Sequence, residues 1–215
     1  MKKAILKLFV VGLLLIFAIP GYAEYITVDE SYYVGSRSLA TGGITAGGAW
    51  ATGNPTITWN ISIEDSGQYA GWVKYSYTWN VTDGGNLSHI IFEISDNEDT
   101  VAADFSSGLV DYYDLNNSNP DMPTGFRGIK FDSPGTAITF YSKHLPMWGD
   151  FYAKDGKVGG TWNTAWNNGI GTDPTGDPFT NWIPVPDTKT VPIPSAAWLL
   201  GAGLVGLVGI RRRFA

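Results

Sequence analysis

From residue 56 to residue 142 apolar and polar positions alternate with a period of two, in one short run after another. In residues 56–64, Ile57, Trp59, Ile61 and Ile63 share one face, and Thr58, Asn60 and Ser62 share the other. That is the signature of a strand with one buried side. Residues 69–81 repeat it, with Val73, Tyr75, Tyr77, Trp79 and Val81 opposed by Lys74, Ser76, Thr78 and Asn80. Residues 87–95 place Ile90, Phe92 and Ile94 on one side and His89, Ile91 and Glu93 on the other. Turns at Asp65-Ser66-Gly67 and Asp83-Gly84-Gly85-Asn86 separate these runs. Weaker strands are predicted at 25–28, 101–105 and 109–113, and 147–153 is a further strand turned by Lys154-Asp155-Gly156-Lys157. Residues 126–131 and 136–142 read as a hairpin joined through Asp132-Ser133-Pro134-Gly135. Residues 35–53, 116–124 and 159–186 read as loops.

Helical periodicity is confined to the two ends of the chain. Many short strands with turn signals between them predict an all-β fold, an antiparallel β-sandwich of jelly-roll type. Its core is expected to hold Ile57, Trp59, Ile61, Val73, Tyr75, Ile90, Phe92, Ile94, Ile129, Phe131, Ile138 and Phe140. Residues 24–187 have the length of one domain.

The ends differ in kind from that domain. Lys2, Lys3 and Lys7 precede an apolar run, and Pro20-Gly21-Tyr22-Ala23 follows it, which predicts a secretory signal peptide over residues 1–23. Residues 188–215 form a linker and a C-terminal device. Val191, Pro192, Ile193 and Pro194 come first, then an uncharged apolar helix over 195–210, then Arg211, Arg212 and Arg213. Sixteen helical residues rise roughly 24 Å at about 1.5 Å each, a short transmembrane helix against a hydrocarbon core of about 30 Å. The arginines hold that end in the cytoplasm.

A Pro-x-Pro turn, a short apolar helix and an arginine cluster, in that order at the C-terminus, resemble the PEP-CTERM sorting signal of Gram-negative bacteria. The match covers about a tenth of the chain and departs at Ile193, where the name-giving motif has Glu. The resemblance implies processing by a membrane enzyme of the exosortase type. The stretch from Leu87-Ser88-His89-Ile90-Ile91 through Trp148-Gly149-Asp150-Phe151-Tyr152-Ala153-Lys154-Asp155-Gly156 is similar to an uncharacterised domain of PEP-CTERM surface proteins, which implies no known activity. A plain tail anchor, or a hydrophobic tail packed on the domain, is the competing account of the C-terminus.

Charge changes the picture once the ends are set aside. Residues 24–190 carry 8 basic and 20 acidic residues, a net charge of −12, because six of the 14 basic residues lie in the two ends. Such a domain repels nucleic acid and anionic lipid, which excludes nucleic acid as a partner. With no cysteine, disulfides and thiolate chemistry are excluded too. Two oxygen-rich loops, one with Asp96, Glu98 and Asp99 and one with Asp173 and Asp177, suit calcium, or are simply solvated turns. The sequence calls for no cofactor beyond the option of calcium in a structural role.

Catalytic signals are sparse. His89 and His144 are the only histidines, in no metal-binding spacing, and no serine sits in a nucleophile elbow. Glu64 and Glu93 lie in clear strands and offer a carboxylate pair of the glycosidase kind, although any acidic β-protein does so. Of the nine tryptophans, Trp59 and Trp79 alternate into the core. Trp162, Trp166 and Trp182 stand among Asn, Gly and Asp, where they either stack on sugar rings or cap an open end of the sandwich.

These readings predict a non-enzymatic exported protein. It passes the Sec translocon and signal peptidase, is held transiently at the inner membrane, and is processed by an exosortase-like enzyme. Its destination is the cell surface or an exopolysaccharide matrix, with exopolysaccharide as a partner. A carbohydrate-binding module and a secreted glycan hydrolase are the alternatives.

Overall fold

The computed structural model describes residues 28–83, 86–94, 102–103, 108–174 and 179–186. The expected signal peptide, the expected sorting segment with Val191–Pro194 and Arg211–Arg213, and Asp96, Glu98, Asp99 and Asp177 lie outside the described residues. The described chain is all-β and antiparallel, with strands numbered along the chain. One sheet runs in the order β1 (Val34–Ser38), β3 (Thr56–Ile63), β4 (Val73–Asn80), β9 (Ala137–Ser142), β6 (Ala102–Ala103). A second runs β2 (Ile44–Gly47), β12 (Thr161–Asn167), β11 (Phe151–Val158), β5 (His89–Glu93), β8 (Phe126–Asp132), β7 (Gly108–Tyr113). A two-stranded piece pairs β10 (Met147–Gly149) with β13 (Ile183–Val185).

The inward faces of the two large sheets meet in one aromatic core. Tyr77 of β4 stacks on Phe92 of β5 with ring centroids 4.1 Å apart, and Phe131 of β8 lies 5.3 Å from Phe140 of β9. All twelve side chains expected in the core are buried there. Alternation reads β3, β4 and β9 correctly because each has one side on the core and one nearer solvent. At one end Trp50, on a single helical turn Trp50–Gly53, packs 5.1 Å from Trp79.

Several expectations are corrected. Residues 126–131 and 136–142 form no hairpin: β8 belongs to the six-stranded sheet and β9 to the five-stranded one. Their apolar faces look at each other across the core, and the turn between them carries the chain from one sheet to the other. Residues 35–53 contain β1, β2 and the helical turn, and 159–186 contain β12 and β13. The predicted strand 147–153 is two strands, β10 and β11, broken at Asp150. The predicted turn at 154–157 is a bulge inside β11, where the register slips between Lys154 and Lys157. The true hairpin turn follows at Gly159 and Gly160, whose φ values of 61° and 87° are those of a type I′ turn.

The chain's last described strand is locked to the core. Buried Tyr77 donates its hydroxyl to the Pro184 carbonyl at 2.7 Å. Burial raises the Tyr77 pKa well above its ordinary value, so the phenol stays protonated and remains a donor. Nearby, the Arg37 guanidinium donates to the carbonyls of Trp182 (3.1 Å) and Phe179 (3.0 Å) and lies 4.9 Å from the Trp59 ring.

Candidate functional site

The outer face of the six-stranded sheet is the part of the domain where chemistry gathers. Strand parity directs His89 and Ile91 of β5, Tyr152 and Lys154 of β11, Trp162, Thr164 and Trp166 of β12 and Lys130 of β8 to this side. Residues 114–125 fold over part of it. Tyr152 donates its hydroxyl to the Pro120 carbonyl at 2.6 Å, and the Thr164 hydroxyl donates to Asp121 Oδ2 at 3.2 Å. Beneath this cover Ile91, Tyr113, Met122, Phe126 and Tyr152 form a second, smaller core, with Trp166 and Ile170 packed on it.

The cover explains His89. Sequence parity turns it toward solvent or Glu93, but the loop buries it to 4% exposure, with Nε2 3.0 Å from Asn119 Oδ1. Burial first, then Lys130 and Lys154, lower its pKa to about 4, against the opposing effect of Asp132 and the Asn119 bond. The imidazole is therefore neutral at neutral pH. His144 sits between β9 and β10, and its carbonyl accepts the Tyr75 hydroxyl at 2.9 Å. Among the described residues no three His, Asp or Glu side chains assemble as a metal site. Asp173 is exposed, and the other residues of the calcium expectation lie outside the described residues.

The three tryptophans singled out by the sequence are not brought together. Trp182 is a core residue, 8% exposed, its indole N–H donating to the Thr172 carbonyl at 3.0 Å. It lies so close over Gly169 that no Cβ would fit there. Trp166 is half-buried against the smaller core. Trp162 alone presents its ring among cations: Lys154 Nζ lies 4.2 Å and Lys157 Nζ 4.7 Å from the ring centroid. Side chains three apart on a regular strand point to opposite faces. The bulge adds one residue between Lys154 and Lys157 and so brings both to the Trp162 side. Lys130, 3.0 Å from Asp132, completes the group, and its charge is close enough to help burial lower the Lys154 pKa.

The carboxylates are spent elsewhere. Glu93 Oε2 accepts the Asp150 N–H at 2.8 Å, while Glu64, at the end of β3 in the other sheet, lies 3.7 Å from Lys74. Asp150 is itself buried, at 5% exposure. It accepts from Asn167 Nδ2 at 2.8 Å and from the Gly171 N–H at 2.7 Å. Asn167 Oδ1 in turn accepts the Phe151 N–H at 2.8 Å. This network fixes the break between β10 and β11. A lone Asp inside Met147-Trp148-Gly149-Asp150-Phe151-Tyr152 was its only trace in the sequence. The sequence also left unnoticed a second aromatic group on the five-stranded sheet, where Tyr69 stacks on Tyr141 at 4.6 Å and Lys143 stands 4.9 Å from the Trp72 ring. No protein-family model, curated protein or solved structure matches this chain.

Proposed function

We propose that this is an exported, non-enzymatic surface or exopolysaccharide-matrix protein, delivered through the Sec translocon and processed at the inner membrane by an exosortase-type enzyme. The observation that carries the reading is the succession of three segments in the C-terminal sequence: Val191-Pro192-Ile193-Pro194, an apolar stretch with no charge, and Arg211-Arg212-Arg213. The net charge of −12 on the intervening domain suits a soluble extracellular body. A jelly-roll connection of the strands belongs to the same proposal. It is supported by the way the chain alternates between the two sheets at β1 to β2, β4 to β5 and β8 to β9. Intact-mass measurement of the protein recovered from a host with such an enzyme tests the sorting. The mature form is expected to end near Pro194, and a mature form still carrying Arg211–Arg213 refutes it.

A second reading, a carbohydrate-binding module, is favoured by one contact: a half-exposed indole, Trp162, with two ammonium groups against it. An aromatic face for the C–H side of a sugar, with donors beside it, is the minimum equipment of a glycan site.

A further inference from the structure

We infer that the Trp162 face binds an anionic polysaccharide, with Lys154 and Lys157 taking the acidic groups and the indole taking a sugar ring. The inference deepens the carbohydrate-binding reading and is independent of the sorting signal. It starts from an electrostatic oddity. The exported part has 8 basic residues among 20 acidic ones, so carboxylate partners are abundant. Yet Lys154 and Lys157 form no salt bridge among the described residues, although the charge of Asp155 acts on Lys154; both ammonium groups stand over one aromatic ring. Gathering like charges costs energy that an anion arriving from outside would return. The bulge in β11 is what creates the arrangement, since regular pleating would have sent Lys157 to the other face.

The ring decides between anions. A uronate-type sugar laid on the indole sets its carboxylate beside ammonium groups already assembled there, and the flexible lysine stems swing aside to receive it. A duplex nucleic acid offers no such ring face to the indole, because its bases are stacked inside the helix. The site borders the polar contacts of His89 with Asn119 and of Thr164 with Asp121, so its floor is a hydrogen-bonded sheet rather than a free loop.

The test uses the full-length chain in detergent and affinity electrophoresis through gels containing polygalacturonate, alginate, neutral dextran or sheared duplex DNA. Retardation is expected on the two polyuronates, falling as salt rises, and not on dextran or DNA. Lys154→Gln together with Lys157→Gln is expected to weaken retardation about tenfold or more. Lys143→Gln, which removes a cation from the other sheet, leaves it unchanged. Circular dichroism and the melting midpoint of each variant establish that it is folded. Retardation by dextran alone, or undiminished binding in the folded double variant, overturns this site while leaving a carbohydrate-binding protein. Stronger retardation by DNA overturns the polysaccharide assignment. A folded protein retarded by none of the four overturns the site and the carbohydrate-binding reading together.

Discussion

Acid should destabilise this domain through one residue. His89 is neutral in the fold, with a pKa lowered from 6.5 to about 4, and its burial is the main cause. In the unfolded chain the same imidazole takes up a proton near its ordinary value. Between these two values the unfolded state binds more protons, so stability rises with pH there and is lost as pH falls from about 6.5 towards 4. The shift corresponds to roughly 3 kcal/mol across that window, at about 1.4 kcal/mol per unit. A domain whose total stability is of order 5–15 kcal/mol would feel such a loss. The assay is urea unfolding of the wild type and of His89→Gln at a series of pH values from 7.5 to about 4. Carboxylates and His144 are common to both proteins, so the difference between the two curves isolates His89. The variant is expected to be the weaker protein at neutral pH and to lose less on acidification, so that the curves converge or cross. Added salt should remove only the part due to Lys130 and Lys154, leaving the larger part due to burial. A difference between the two proteins that stays constant over the whole range would refute the assignment.

Two further outcomes follow from packing. Tyr77→Phe leaves the Pro184 carbonyl without its buried donor and should cost about 1–3 kcal/mol in chemical denaturation; an unchanged midpoint would show that the hydroxyl does not hold β13. Trp182→Ala should cost roughly 3–5 kcal/mol as a core deletion. Trp162→Ala should cost less than about 1.5 kcal/mol, since it removes a half-exposed ring and two cation–π contacts. Equal losses in the two tryptophan variants would contradict the different places the structure gives them.

The sequence showed the core wherever a strand has one wet side. Ile57, Trp59 and Ile61 alternate with polar residues because only their side of β3 meets the other sheet. Strand β12 escaped notice because residues 114–125 cover part of its outer face and its buried positions are largely polar. Its buried Asn163, Thr164 and Asn167 are polar, satisfied by hydrogen bonds rather than by exposure, and so broke the pattern. The hairpin expected at 132–135 failed for another reason: alternation says which side of a strand is apolar but not which sheet the strand joins. As for the site, Trp162 was visible as an aromatic residue in polar surroundings, while its partners were not. Lys154 and Lys157 converge on it only through a bulge, and a one-residue slip in register leaves no mark in composition. The covering of His89 depends likewise on a loop whose sequence, read alone, is merely polar.

Strand β13 has a consequence for how the domain carries load. Ile183 and Val185 are fully buried, the strand pairs with β10 from Met147↔Val185 to Gly149↔Ile183, and Tyr77 grips Pro184 from the opposite side. A pull applied at residue 186 therefore acts on the core through β13. Drawing β13 out requires parting the pair with β10, breaking the Tyr77 bond and wetting two aliphatic side chains in a single event. A body tethered through its C-terminal end would thus resist traction as one mechanical unit, and its lifetime under tension would be set by the unfolding rate of the domain rather than by the fraying of a tail.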